Sequence, residues 1–131
     1  MRQSLIMGNW KMNGSLQEGQ ALAQALVEGL GSVAQEVAVC VPFVYLSDIR
    51  AVLASSSIAL GAQNVADQAV GAYTGEVSAA MLAECGCKYA LVGHSERRSY
   101  YGDTDQSVAQ RFIQAQKQGI EIGRASCRER V

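Results

Sequence analysis

The sequence predicts an α/β fold of four strand–helix units, which corresponds to the N-terminal half of a (β/α)8 barrel. Short β-rich runs alternate with stretches of helical spacing, a pattern typical of βα units around a parallel sheet. The run from Val37 to Val41 is apolar throughout, as expected of a strand covered on both faces. The four units fit within residues 1–120, whereas a full barrel of eight units takes about 250 residues.

The first unit begins with a strand at Leu5–Met7. Ser15 and Glu18 have the spacing of a capping box at the start of the helix that follows. The inner stripe of this helix is expected to consist of Leu22, Ala25, Leu26 and Gly29. Pro42 ends the second strand, and a second helix is predicted from about Val44 to Leu53.

The third strand is predicted at Ile58–Ala62 and leads into a long, glycine-bearing loop over residues 63–76. Loops of that length inside compact domains are usually functional or contact a partner. Ser78 is expected to cap a short helix that runs through Cys85, and Lys88–Val92 forms the fourth strand.

The fourth helix is predicted to begin at a capping box formed by Asp103 and Gln106. Its inner stripe is expected to consist of Val108, Phe112 and Ala115. Gly119 supplies the stop signal at its end.

Residues 121–131 do not continue this pattern. They stand where a fifth strand should begin, but their charges alternate without an apolar face. The segment resembles translated read-through of a sequencing adapter. We therefore expect an artefactual tail without function, with the domain ending near residue 120.

Composition excludes several classes of protein. The formal charge is -1, so no basic excess exists to neutralise a nucleic-acid backbone. The longest apolar run, residues 37–46, is far shorter than the roughly 20 residues needed to cross a bilayer. The N-terminus does not have the pattern of a signal peptide. We expect a cytoplasmic protein that binds neither nucleic acid nor membrane.

The cysteines give no sign of a metal or redox site. Cys85 and Cys87 are separated by one residue rather than two, and His94 is the single histidine. We interpret these two cysteines, together with Cys40 and Cys127, as ordinary buried or half-buried thiols, and expect no metal site.

Two polar clusters follow predicted strands, at Gly8–Asn13 and Gly93–Arg98. The carboxyl ends of parallel strands form the edge at which α/β folds bind ligands. Lys11 would place a cation in a confined pocket there, which suits an anionic substrate. His94 stands at the start of a helical or tight-turn segment over residues 95–98. The partial positive charge of a helix N-terminus favours a neutral ring, which can still donate an N–H to a carbonyl oxygen.

Each of these residues also has a simpler interpretation. Lys11 could be a solvated surface charge, and His94 a hydrogen-bonded structural residue. Asn9 and Asn13 could be turn formers, and residues 96–98 could form ion pairs on the surface. Without further information, the sequence predicts an α/β domain that binds a phosphorylated metabolite.

Four blocks of sequence are similar to the triosephosphate isomerase family, in the family's order and spacing. The blocks are Gly8–Asn13, Gly61–Asn64, Gly71–Ser78 and Val92–Arg98. The resemblance covers residues 1–120 and implies half of a TIM barrel. The catalytic histidine of this family is a well-known example of a histidine kept neutral by its surroundings. The resemblance implies the same state for His94.

The resemblance also implies roles for individual residues. Lys11 and His94 would be catalytic, with Lys11 holding the negative charge of the substrate and His94 shuttling a proton between two substrate oxygens. Asn9 would help to orient those oxygens, and Glu96 would be a carboxylate beside Lys11. Thr74 would lie in a loop that inserts into a second subunit of a homodimer.

Asp103 stands where the family usually has Glu. It is expected to pair with Arg97 or Arg98.

The implied reaction is the interconversion of dihydroxyacetone phosphate and D-glyceraldehyde 3-phosphate through an enediolate, a step of glycolysis and gluconeogenesis. It needs no metal and no organic cofactor. The family's base is a Glu after the sixth strand, beyond the residues of this chain, so we expect the fragment to be inactive. We also expect strands one and four to be open edges.

Two alternatives from other classes remain open. One is a non-catalytic half-barrel that functions only by pairing with another half. The other is a domain that binds a phosphorylated metabolite without turnover.

Overall fold

Strands and helices alternate along residues 4–31 and 33–124, the parts of the chain that the computed structural model describes. The strands are β1 Leu5–Asn9, β2 Glu36–Val41, β3 Ala59–Ala62, β4 Tyr89–Val92 and β5 Glu121–Arg124. The helices are α1 Leu16–Leu30, α2 Leu46–Leu53, α3 Ala79–Glu84, α4 Ser95–Tyr101 and α5 Asp105–Lys117. Each strand pairs in parallel with the next, in the order β1-β2-β3-β4-β5. The half-barrel predicted from the sequence is confirmed.

The sheet has two faces of different character because side chains alternate along each strand. One face packs against the helices and carries Val39, Val41, Leu60, Ala62, Ala90 and Val92. Cys40 and Tyr89 lie on the other face, on either side of Gly61, where a Cβ would meet both. That second face would be the inside of a closed barrel.

Helix α1 begins as predicted but presents a different stripe. The Ser15 hydroxyl accepts the Glu18 amide at 3.2 Å, which is one half of the predicted pair. The buried positions are Gly19 and Ala23. The predicted stripe was wrong in part: Leu22, Ala25 and Gly29 are exposed, and Leu26 is half-buried. The apolar sequence is broad enough to fit two neighbouring faces, and packing against α2 selects one of them.

Helix α5 also differs from its prediction. Its N-cap is Thr104, which exchanges hydrogen bonds with Ser107, rather than Asp103. Phe112 is 43% exposed, so its predicted place on the inner stripe was wrong. Arg111 is buried there instead, because its guanidinium finds carbonyl and carboxylate partners that offset the loss of hydration.

Residues 121–124 were expected not to continue the strand–helix pattern, and that part of the prediction was wrong. They form β5, and the Glu121 amide donates to the Lys88 carbonyl at 2.9 Å. The open edges of the described sheet are therefore β1 and β5, rather than strands one and four. Residues 125–131 lie outside the described part of the chain, and the origin of the tail stays a prediction.

Three of the four cysteines fall within the described residues. Cys40 and Cys87 are buried and Cys85 is half-buried, as predicted. Burial raises the pKa of the Cys87 thiol to about 12. Cys127 lies outside the described residues. Among the helices described, none combines the length and the apolar character that crossing a membrane requires.

Candidate active site

The turn after β1 places Lys11 at the carboxyl edge of the sheet. Lys11 has a φ of 55°, a left-handed conformation that is uncommon for a residue with a side chain. Its amide donates to Asn9 Oδ1 at 2.9 Å, and its carbonyl accepts from Gln63 Nε2 at 2.8 Å. Gln63 also donates to the Cys40 carbonyl at 3.1 Å. Neighbouring strands thus hold a strained turn in place.

The two asparagines near Lys11 shape the turn. Strand β1 ends at Asn9, so Lys11 lies beyond the strand, in the turn that follows it. Asn9 acts here as a turn former through its contact with the Lys11 amide. Asn13 does the same, donating to the Trp10 carbonyl at 3.2 Å.

A tight turn after β4 places His94 at the same carboxyl edge of the sheet as Lys11. Gly93 has a φ of 70°, and a Cβ there would meet Val108 at 3.3 Å, so both conformation and space favour glycine. His94 follows as the N-cap of α4 and is 8% exposed. The predicted helical segment over residues 95–98 is confirmed as the start of α4.

Glu96 joins these two residues. Its Oε1 lies 2.8 Å from Lys11 Nζ, and its Oε2 lies 2.9 Å from His94 Nδ1. The hydrogen bond from Lys11 and the proximity of His94 hold the pKa of the Glu96 carboxyl below its usual value of 4.5. We call Lys11, Glu96 and His94 the rim cluster. The side chains of Lys11 and Glu96 are 40% and 42% exposed, so the cluster is open to a ligand.

His94 Nδ1 has a second contact, which places a different demand on the ring proton. The Glu96 amide donates to Nδ1 at 3.3 Å. That contact requires a lone pair on Nδ1, whereas the contact with the Glu96 carboxylate requires a proton there. The amide is fixed by the backbone, while the carboxylate is half-exposed and already paired with Lys11. A ring with its proton on Nε2 keeps the contact with the amide, whereas a ring with a proton on Nδ1 keeps the contact with the carboxylate.

A second group of charges lies on the other side of α4. Arg97 Nε donates to Asp103 Oδ2 at 2.9 Å, as predicted, whereas Arg98 pairs with Asp105 at 2.7 Å. Asp103 Oδ1 also lies 3.5 Å from Arg111 Nη2. We call Arg97, Asp103 and Arg111 the clamp.

Sequence reasoning missed two of the residues that build this site. Gln63 carried a signal, since it follows β3 directly within one of the four blocks, but no role was predicted for it. For Arg111, the sequence shows only that it lies on the same helix face as Val108 and Ala115, which is an unusual place for a cation. Thr74 lies on the exposed part of the loop, outside the rim cluster. No group of three acidic, His or Cys side chains suited to a metal is present among the described residues.

Comparison with known proteins gives a consistent result. The family model of triosephosphate isomerase matches residues 4–123. The triosephosphate isomerase of Thiobacillus denitrificans is 55% identical over 120 residues, covering 92% of this chain and 48% of that protein. That of Dechloromonas aromatica is 50% identical with the same coverage. The chain spans about half the length of the curated relatives it matches.

A solved structure agrees with these relatives. The crystal structure of triosephosphate isomerase from Bartonella henselae superposes with a TM-score of 0.86 at 37% sequence identity. The superposition covers 92% of this chain and 50% of that one. The described strands therefore correspond to half of a known barrel.

Proposed function

Because the chain belongs to the triosephosphate isomerase family, we propose that it is part of an enzyme that interconverts dihydroxyacetone phosphate and D-glyceraldehyde 3-phosphate. The observation that carries this proposal is the rim cluster. A cation from the turn after β1 and an imidazole from the turn after β4 meet through Glu96 at the carboxyl edge of the sheet. That edge is where barrels of this kind bind substrate.

In the proposed mechanism, a base removes a proton from the carbon beside the carbonyl. The electron pair of that C–H bond forms the carbon–carbon double bond of an enediolate, and negative charge moves to the carbonyl oxygen. The Lys11 ammonium stabilises this charge, and His94 Nε2–H donates to the oxygen. His94 then moves a proton between the two oxygens, and the protonated base gives its proton to the neighbouring carbon, which regenerates the base and the carbonyl. Atoms and electrons balance without an oxidant or a cofactor.

Glu96 is a poor candidate for the base. Its carboxylate is already paired with Lys11 and lies against His94, and its lowered pKa makes it a weak proton acceptor. We assign it the role of orienting Lys11 instead. By resemblance to the family, the base is a Glu after the sixth strand, beyond the matched residues, so the 131-residue chain is proposed to be inactive.

The proposal includes a homodimer in the cytoplasm. The loop after β3 exposes apolar side chains at its tip, with Val70 88% and Tyr73 49% exposed and Thr74 beside them. Met12, in the turn after β1, is 93% exposed. A second subunit would remove these side chains from water. The three cysteines among the described residues are thiols, which suits a reducing compartment.

The test adds the part of the barrel that the relatives have beyond the matched residues. The chain is joined after Gly123 to the residues that follow the matched segment in the relative from Thiobacillus denitrificans; we call this protein the completed chain. We expect it to isomerise both triose phosphates, with loss of activity on Lys11→Met or His94→Gln. The 131-residue chain alone serves as the inactive control.

Other results would favour the two alternatives. A completed chain that binds 2-phosphoglycolate, a mimic of the enediolate, yet shows no turnover would favour a metabolite-binding domain. A 131-residue chain that forms a defined, folded dimer and gains function only by that pairing would favour a half-barrel. Either result would overturn the proposed reaction.

A further inference from the structure

The loop after β3 is held at both ends by one buried side chain. Arg111 is 7% exposed, and its Nη1 donates to the Val65 carbonyl, near the start of the loop, at 2.6 Å. The same nitrogen lies 3.5 Å from Glu76 Oε1, at the far end of the loop. A backbone hydrogen bond of 2.9 Å from Ala66 to Val77 closes the base between them. The loop therefore has a fixed base and an exposed tip.

The same guanidinium contacts the helix that begins at His94. Arg111 Nη2 lies 3.5 Å from Asp103 Oδ1, and Asp103 Oδ2 accepts from Arg97 on α4. The Asp103 amide also donates to the Arg97 carbonyl at 3.3 Å. Arg97 lies three positions after His94, so the contacts run without a gap from the loop to the start of α4.

We propose that Arg111 is a positioning residue, which links the base of the loop to α4 and so fixes the orientation of His94. The inference rests on the proposed function, because it gives His94 a task that depends on orientation.

The chemistry of the side chain supports this role. A guanidinium is planar and charged, so it can donate a hydrogen bond to the Val65 carbonyl while it lies within ion-pair distance of Glu76 and Asp103. Its burial makes the arrangement difficult to relax, because a buried charge that loses a partner is strongly destabilising. A flexible or uncharged side chain could not hold all three groups.

The test compares Arg111→Met with Arg98→Met. Arg98 pairs with Asp105 across the same two helices, but Asp105 is 95% exposed, so this variant removes an ion pair without touching the loop. Exchange of the amides over residues 66–77 and the nitrogen spectrum of His94 are recorded on the 131-residue chain. Steady-state rates are measured on the completed chain.

For Arg111→Met we expect amide exchange over the loop to accelerate about ten-fold or more. We expect kcat to fall about ten- to hundred-fold, since a displaced catalytic group costs rate, while KM changes little. The His94 Nδ1 signal should shift as its bond with the Glu96 amide weakens. Arg98→Met should match the unmodified chain in all three.

Faster loop exchange with kcat and the Nδ1 signal equal to those of Arg98→Met would overturn the proposal, because Arg111 would then be merely structural. If Arg111→Met does not fold, Asp103→Asn takes its place with the same readouts and the same interpretation. An inactive completed chain with Arg111 intact would instead reject the proposed function. In that case the exchange and nitrogen measurements still decide whether the loop and His94 are linked.

Discussion

The rim cluster and the clamp are made of similar charges, lie on either side of α4, and differ chiefly in their access to water. In the rim cluster, the paired Lys11 and Glu96 side chains are 40% and 42% exposed. In the clamp, the side chains of Asp103 and Arg111 are 5% and 9% exposed, and that of Arg97 is 29% exposed. Exposed ion pairs contribute little to stability, whereas breaking a buried pair is costly.

The difference separates two tasks that similar residue types can perform. A half-exposed cation keeps enough freedom and hydration to exchange its carboxylate partner for an anionic ligand. A buried cation stays in its ion pairs and contributes to the stability of the fold. Helix α4 takes part in both, since Glu96 points to the rim cluster and Arg97 to the clamp.

The largest expected effect tests the rim cluster. Lys11→Met should lower kcat/KM of the completed chain about 10³-fold, because a group that stabilises the developing oxyanion is lost. The midpoint of thermal unfolding should hardly move, since the ion pair is exposed. Lys88→Met is the control, because Lys88 forms its ion pair with Glu36 at the opposite end of the strands. Equal activity losses in the two variants would contradict the assignment.

The clamp should respond in the opposite way. Asp103→Asn removes the negative charge between two arginines and should lower the free energy of unfolding by about 3 kcal/mol. Asp105→Asn, at a 95% exposed carboxylate, should change it by less than about 1 kcal/mol. Urea unfolding of the 131-residue chain measures both. Equal destabilisation would show that burial does not distinguish the two groups.

The sequence was sufficient for the order of the elements and the edge at which the site lies. Alternation of strands and helices predicted a parallel sheet, and a parallel sheet brings the residues after β1 and β4 to one edge. The contact between Lys11 and Glu96 was expected from the family resemblance, and the shared edge makes it possible.

Helix faces and the fifth strand needed tertiary information. At helical spacing from Val108 and Ala115, positions 111 and 112 are both possible, and hydrophobicity favoured Phe112. The partners that make Arg111 acceptable inside are a loop carbonyl and an acid distant in sequence, and no local pattern indicates them. The strand β5 formed despite its charges, because pairing with β4 uses backbone groups.

An intermediate effect is expected at Gln63, whose hydrogen bonds hold the turn that carries Lys11. Gln63→Glu replaces the amide that donates to the carbonyls of Lys11 and Cys40 by a carboxylate that cannot donate. The free energy of unfolding should fall by about 1 to 3 kcal/mol, and 2-phosphoglycolate should bind the completed chain more weakly as the Lys11 turn loosens. Gln20→Glu, on the exposed side of α1, should change neither quantity.

The smallest effect concerns pH and offers the sharpest contrast between the two ends of the sheet. The Glu96 pKa is lowered by its hydrogen bond with Lys11, and the Glu36 pKa is lowered by its hydrogen bonds with Lys88 and Tyr89. A carboxyl whose pKa falls on folding stabilises the native state above its unfolded value, near 4.5. That contribution is lost as the pH drops through the folded value.

Urea unfolding of the 131-residue chain between pH 7 and pH 3 tests this sign. Glu96→Gln and Glu36→Gln should each be less stable than the unmodified chain at pH 7, and each difference should vanish at acid pH. Only Glu96→Gln should weaken binding of 2-phosphoglycolate to the completed chain, because Glu36 lies at the far end of β2. A difference that persists unchanged at pH 3 would contradict the lowered pKa. Equal loss of binding in both variants would show that the Lys11–Glu96 pair has no special role in ligand binding compared with the Lys88–Glu36 pair.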